Sequence, residues 1–357
     1  MIEYRERKIA ECGKRFHVTK NSTLQEVLCA ARLETREYMV SPMAYLNTSF
    51  FSDPDIREKL DTIIRGRKFK ELTLEEVTSI FTAWNLRSMI DGLEFLIERA
   101  QKETIVYDIW KDREDGKEKT GLLAFPSGKK RKKFAVICPG GAYENVCSIA
   151  EGFPIAKVFH NLGYTSFVLQ YRTGKYAGQP NSLDDLAQTV KFIREHAEEF
   201  GVEKEPYAVV GFSAGGHLAA SFGTESTGYR RYGLPKPEML ILGYPVITMG
   251  AKAHEGSRTN LLGALCTDEQ MQELYSVEKQ VSREYPKTYI WQTEEDEAVP
   301  IENSRMMAEA LWEQGVPCRY EVFPGTDHGW GLGTGTAADG WLERAVRFWE
   351  ENIGSDQ

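Results

Sequence analysis

The chain has 357 residues, enough for about two domains at roughly 150 residues each and too few for a large multidomain machine. Its 41% apolar and 27% charged residues, with 31 Gly and 14 Pro, are the usage of a folded globular protein and exclude a disordered or fibrous one. Lys and Arg number 44 against 53 Asp and Glu, and the resulting net charge of −9 disfavours nucleic acids and anionic membranes as partners.

The opening stretch MIEYRERKIAECGKRF is charged where a secretory signal needs an apolar segment, and no run approaches the roughly 20 apolar residues of a membrane span. A cytoplasmic protein is expected. The six cysteines, Cys12, Cys29, Cys138, Cys147, Cys266 and Cys318, are scattered and show no CxxC spacing. They read as reduced packing residues, with neither a disulfide framework nor a metal site. The basic run Lys129-Lys130-Arg131-Lys132-Lys133 lies between two apolar stretches and reads as a solvated hairpin tip.

In chain order, the first hundred residues are helical in pattern. Leu24, Val27 and Leu28, and then Val77, Ile80, Phe81 and Trp84, follow i, i+3, i+4 spacing, each set preceded by a capping box, Thr23-x-x-Glu26 and Thr73-x-x-Glu76. From Thr104 the pattern changes. TIVYDIW (104–110) and GLLAFP (121–126) are joined too briefly for a crossover helix and predict an antiparallel edge hairpin. Six β-branched runs follow at 134–138, 165–171, 207–212, 239–244, 288–293 and 318–323, with helical patterns at 150–162, 182–200, 214–222, 302–314 and 339–352. That alternation predicts an α/β fold with a mostly parallel, twisted sheet covered on both faces. The expected division is a helical appendage over 1–103 and an α/β unit over 104–357.

Gly211-Phe212-Ser213-Ala214-Gly215 falls between a buried strand and an Ala-rich helix, the context in which a G-x-S-x-G pentapeptide has meaning. A strand that turns abruptly into a helix crowds the positions two before and two after the turn, so both must be glycine, and the serine between them is strained and projects from the sheet's carboxyl edge. A serine hydroxyl needs a hydrogen-bonded base to become nucleophilic. Of the histidines, His328 lies just beyond a strand, in the Gly-rich loop FPGTDHGWG; His217 rides the helix after Ser213 and reads as packing. The base in turn needs an acid to fix its tautomer. Glu294, Glu295, Asp296 and Glu297 all follow the strand TYIWQT, and Val299-Pro300 three and four residues on favours Asp296. The chain order nucleophile, acid, base over Ser213, Asp296 and His328 agrees with that assignment. For a tetrahedral oxyanion, Pro139-Gly140-Gly141-Ala142-Tyr143 offers bare backbone after the strand FAVIC, with Gly141 and Ala142 joining Ala214 as N–H donors. Gly140, Tyr143 and Trp330 are the candidate pocket residues; Trp291, inside a strand, reads as core.

These motifs, ICPGGAY (137–143), VVGFSAGGHLAAS (209–221), EDEAVPIENS (295–304) and FPGTDHGWGLG (323–333), resemble those of the α/β-hydrolase superfamily, and within it the acetyl esterase and acetyl-xylan-esterase-like carboxylesterases. The resemblance covers roughly residues 104–353. It implies a nucleophile at Ser213, an acid at Asp296, a base at His328, no metal or organic cofactor, and a small ester substrate such as an acylated sugar. Where the family pattern has a third glycine in the oxyanion loop, this chain has Ala142, which narrows the space above the loop. An oligopeptidase shares the elbow but carries a large β-propeller that about 100 helical residues cannot build. Binding proteins on a retired hydrolase scaffold commonly lose a triad member, whereas Ser213, Asp296 and His328 supply all three types here. The helices of 1–103 lie outside the resemblance and read as a lid, a docking module or a homo-oligomerisation element.

Overall fold

A computed structural model describes residues 16–40, 58, 61–64, 66–128 and 133–351. Cys12 and residues 129–132 of the basic run lie outside the described residues; Lys133, at the end of that run, pairs with Glu238 at 2.9 Å.

Eight strands form one sheet in the order β1-β2-β4-β3-β5-β6-β7-β8: β1 (Val106–Tyr107), β2 (Gly121–Phe125), β3 (Phe134–Cys138), β4 (Thr165–Gln170), β5 (Tyr207–Phe212), β6 (Met239–Gly243), β7 (Lys287–Thr293) and β8 (Cys318–Phe323). β1–β2 and β2–β4 are antiparallel, and every later pair is parallel. This is the edge hairpin and parallel sheet that the alternation predicts. Because the chain returns past β3 to place β5, the strand order reverses between β3 and β5, and a crevice opens outside their carboxyl ends. Cys138 and Gly211 stand side by side there.

Alternate side chains go to opposite faces. Phe125, Ala135, Ile137, Val210, Phe212 and Trp291 enter one apolar cluster, while Leu122, Phe134, Val136, Val209, Leu242 and Ile290 enter the other. The first cluster is closed by α1 (Leu24–Ala30), α2 (Leu74–Ile80), α3 (Leu86–Lys102), α4 (Phe153–Leu162) and a C-terminal helix, Trp341–Glu350. The second is closed by α5 (Asn181–Glu195), α6 (Ser213–Phe222), α7 (Glu255–Leu262) and α8 (Glu302–Glu313).

Both capping boxes form: the Glu26 N–H donates to Thr23 Oγ1 at 3.2 Å while Glu26 Oε2 accepts from the Thr23 N–H at 2.9 Å, and Thr73 with Glu76 repeats the pattern. The helix expected over 150–162 is split. Gly152 separates the turn Ser148–Glu151 from α4, whose first turn holds Pro154, a residue with no N–H to give to a continuing helix. Residues 244–286, between β6 and β7, carry α7 and the helix Glu269–Tyr275, neither of which the periodicity indicated.

α3 packs on α4 at Gly92, where a Cβ would lie 2.8 Å from Pro154 Cγ. Gly92→Val must therefore push the two helices apart. The expected result is a loss of about 1–3 kcal/mol of unfolding free energy, read from the denaturant midpoint.

Candidate active site

β5 runs straight into α6, and Ser213 at the junction has φ 51°, the left-handed region that an L residue enters only under constraint. The crossing leaves no room for side chains on either side. A Cβ on Gly211 would strike the Gly215 carbonyl, and one on Gly215 would strike the carbonyls of Cys138 and Pro139. Ser213 Oγ is thus held above the crevice at the start of a ten-residue helix whose first N–H groups have no intrahelical acceptor.

His328 sits in the loop after β8. Its Nε2 lies 2.8 Å from Ser213 Oγ and its Nδ1 lies 2.7 Å from Asp296 Oδ2. An ionised carboxylate only accepts, so Nδ1 carries the proton and Nε2 is free to accept from the serine hydroxyl. Asp296 is itself fixed: Oδ1 accepts from the N–H groups of Ala298 (2.9 Å) and Val299 (2.8 Å), and Oδ2 also accepts from Gln292 Nε2 (3.2 Å). Glu294, Glu295 and Glu297 are exposed, whereas Asp296 is buried. The Tyr244 ring packs against the imidazole in a T-shaped pair, 4.9 Å between centroids.

The oxyanion loop leaves β3 with three successive positive φ values, Gly141 129°, Ala142 56° and Tyr143 59°. For Ala142 that conformation costs about 1–2 kcal/mol. The loop is pinned by Asn260 Nδ2 of α7, which donates to the Ala142 carbonyl at 2.9 Å. Among the described residues no backbone acceptor is found for the N–H groups of Gly141 and Ala142.

Two expected pocket residues are placed otherwise. Gly140 is buried, and its N–H is taken by Glu151 Oε2 at 2.6 Å. It neither lines a pocket nor serves as an oxyanion donor. Tyr143 is 0% exposed, and its hydroxyl points into the protein to His217 Nδ1 at 2.8 Å, so this ring anchors the loop from beneath and meets no substrate. The ring is held there by His217 of α6 and by packing against Tyr171. Trp330 does border open space. With Trp84, Asn85, Asp327, Thr334 and Thr336 it lines a cavity of about 200 Å³ between the loop after β8 and the segment joining α2 to α3. Asn85 caps α3 and its Nδ2 donates to the Thr334 carbonyl at 3.2 Å, binding the two segments together. Trp291 is core, as its strand position predicts.

Sequence reasoning passed over Glu151, Gln292, Asn260 and His254. His254 caps α7 by accepting from the Ser257 N–H at 3.2 Å, and burial, with the charge of neighbouring His328, holds it below the usual imidazole range. Gln292 was legible in principle as a polar residue inside a buried strand; the others lie in segments whose composition reads as ordinary surface. Among the described residues, no group of three or more His, Cys, Asp or Glu side chains is placed to hold a metal ion.

A mostly parallel eight-stranded sheet with a strained serine at the β5–α6 turn, and with acid and base on the loops after β7 and β8, is the architecture of an α/β-hydrolase. Residues 123–311 match the BD-FAE family, and the chain belongs to that family. Endo-1,4-beta-xylanase B of Butyrivibrio fibrisolvens is 36% identical over 66% of this chain and 39% of its own length. The acetylxylan esterase of Xylanibacter ruminicola is 28% identical over 70% of this chain and 51% of its own. The chain thus spans about half or less of the curated relatives it matches. Among solved structures, an acetyl ester-xyloside bifunctional hydrolase from Caldicellulosiruptor lactoaceticus superposes with a TM-score of 0.61 at 29% identity, covering 69% of this chain and 95% of that one. A carboxylesterase from Lactobacillus plantarum gives 0.56 at 26% identity, covering 64% and 91%.

His217 carries a consequence for stability. Burial lowers its pKa from 6.5 to about 4, and its Nε2–H donates to the Tyr275 carbonyl at 2.8 Å. The unfolded chain binds this proton and the native protein does not, so stability is complete above about pH 6.5 and falls as the pH drops toward 4. A fall of about 3 kcal/mol is expected across that window from this group, and His217→Gln, which can keep both hydrogen bonds, should flatten it in denaturant melts run at stepped pH.

Proposed function

We propose that this protein is a serine carboxylesterase that removes short acyl groups, acetyl foremost, from acylated saccharides. The observation that carries the reading is the continuous hydrogen-bonded line Ser213 Oγ, His328 Nε2, His328 Nδ1, Asp296 Oδ2, ending beside unpaired N–H groups. Resemblance to an acetylxylan esterase, an acetyl ester-xyloside hydrolase and a carboxylesterase supports the reaction class.

In this mechanism Ser213 Oγ attacks the ester carbonyl as its proton passes to His328 Nε2. Asp296 keeps the Nδ1–H in place and stabilises the imidazolium that results. The carbonyl oxygen becomes an oxyanion between the N–H groups of Ala214, Gly141 and Ala142. Collapse of the intermediate returns the proton from Nε2 to the leaving alcohol, giving an acyl-enzyme and a free hydroxyl. Water then enters at the same position, His328 takes its proton, and the acid is released with Ser213 regenerated.

The alcohol departs on the imidazole side, so the saccharide belongs on the side of the loop that carries His328. That loop also carries Asp327 and Trp330, whose cavity offers an indole for the apolar face of a sugar ring and the polar side chains of Asn85, Thr334 and Thr336 for its hydroxyls.

The test is a substrate panel of acetylated xylo-oligosaccharides, p-nitrophenyl acetate and aminoacyl nitroanilides, run with wild type and Ser213→Ala. Ester turnover that disappears in Ser213→Ala is expected, and turnover that survives it, or a preference for the amides, overturns the reading. Asp296→Asn should lower kcat about 10⁴-fold, because the imidazole is then held in the wrong tautomer. Trp330→Ala should raise KM about tenfold for acetylated xylo-oligosaccharides and leave KM for p-nitrophenyl acetate nearly unchanged.

A further inference from the structure

Glu151 ends the helical turn that follows the oxyanion loop and is 3% exposed. A carboxyl group so deeply buried is retained only where its oxygens are engaged. Here Oε2 accepts from the Gly140 N–H at 2.6 Å, and Oε1 accepts from the Tyr244 hydroxyl at 2.7 Å. Tyr244 Oη in turn accepts from the Gly331 N–H at 3.0 Å, three residues beyond His328, while the Tyr244 ring forms a T-shaped pair with the imidazole. One carboxylate therefore links the first residue of the oxyanion loop, the end of β6 and the loop that carries the base.

Hydrogen-bond accounting assigns the ionised form. Both oxygens already face donors, and a proton on Oε1 would displace the Tyr244 hydroxyl hydrogen from the acceptor the structure gives it. The titratable groups around Glu151 are the Cys147 thiol on its own turn, Tyr171 after β4, Tyr244 after β6 and His328 on the base loop. Burial pushes the first three upward, so they stay neutral near pH 7, and the group that gains positive charge during the reaction is His328. Burial also pushes Glu151 upward, opposed by the Tyr244 and Gly140 donors and by a charged His328.

We propose that Glu151 is a positioning residue for ester hydrolysis: its carboxylate fixes the spacing between the oxyanion loop and the base loop through Gly140 and Tyr244, and its charge favours the imidazolium at His328. The inference rests on the esterase reading. Without this link the oxyanion loop has lost the bond that holds its first peptide, and donors displaced by as little as about 1 Å lose on the order of a hundredfold in rate. Ground-state binding of a small ester, which does not yet carry the oxyanion, is affected far less.

The experiment compares wild type, Glu151→Gln and Tyr244→Phe, with Ser213→Ala as the blank. For p-nitrophenyl acetate, kcat is expected to fall about 10- to 100-fold in Glu151→Gln, with KM changed less than about threefold. The acid limb of its kcat/KM profile should move to lower pH, since an imidazolium that has lost its anionic neighbour deprotonates more readily. Tyr244→Phe keeps the ring on His328 and removes only the hydroxyl; it should lower kcat in the same direction, and it carries the test if Glu151→Gln does not fold. A folded Glu151→Gln with unchanged kcat and unchanged acid limb, or a Tyr244→Phe with unchanged kcat, overturns the proposal. The rate at which an alkyl fluorophosphonate labels Ser213 reads the same positioning without an ester: slower labelling of Glu151→Gln supports the role and equal labelling refutes it. The esterase reading fails separately, if wild type is labelled yet hydrolyses no ester.

Discussion

A serine with φ 51° is the constraint on which the rest of the site depends. Such a conformation costs roughly 1–3 kcal/mol and persists only where the surroundings over-determine it. Here they do so by contact. β5 and α6 meet so closely that Gly211 lies against the Gly215 carbonyl, and Gly215 lies against the carbonyls that end β3. Those same contacts bring the loop 139–143 beside Ser213, because the chain leaving Cys138 has to pass directly over the first turn of α6. The strain at Ser213, its position at the mouth of α6 and the closeness of the loop after β3 are three results of one steric arrangement.

In the proposed mechanism the loop 139–143 meets a second requirement, keeping backbone donors unpaired without letting them collapse onto the protein. Other groups of the loop are tied down: the Gly140 N–H to Glu151, the Tyr143 hydroxyl to His217, and the Ala142 carbonyl to Asn260. These partners come from three different places, the turn after the loop, α6 and the β6–β7 excursion. Among the described residues, the amides of Gly141 and Ala142 are left without backbone acceptors. Preorganised donors of this kind need no reorganisation when charge develops, which is the basis of their catalytic weight.

Much of this was legible from residue types alone. The elbow is readable because a strand-to-helix crossing leaves no room for side chains two residues to either side, and the hairpin is readable because the stretch 111–120 between the two runs is too short for a crossover helix. Asp296 was separable from its glutamate neighbours only through Val299, whose N–H closes a turn on the shorter aspartate side chain. Tyr143 was misread because aromatic residues in a glycine-rich loop suggest a pocket, whereas its partner, His217 on α6, is brought to it only by the tertiary fold. Glu151 was invisible for a related reason: within a helical pattern a glutamate reads as solvated surface, and its burial follows from the break at Gly152 and the packing of Tyr244 above it. The excursion over 244–286 carries charged, weakly periodic helices, so nothing in it announced Asn260 as a support for the loop.

Residues 16–102, where described, pack into the same apolar cluster as the sheet, and the α2–α3 connection reaches the loop that carries His328. That segment lies outside the stretch matched by the family, and its Trp84 and Asn85 line the cavity shared with Trp330. The central claim is that Ser213 is acylated during turnover. Acid quenching of the protein in the pre-steady state with p-nitrophenyl acetate, followed by mass spectrometry of the peptide containing Ser213, tests it directly. A gain of about 42 Da on Ser213 that forms with the first burst of nitrophenol and decays with turnover is the outcome this account requires. Nitrophenol release with that peptide unmodified throughout, or with the acetyl group on another residue, would contradict it.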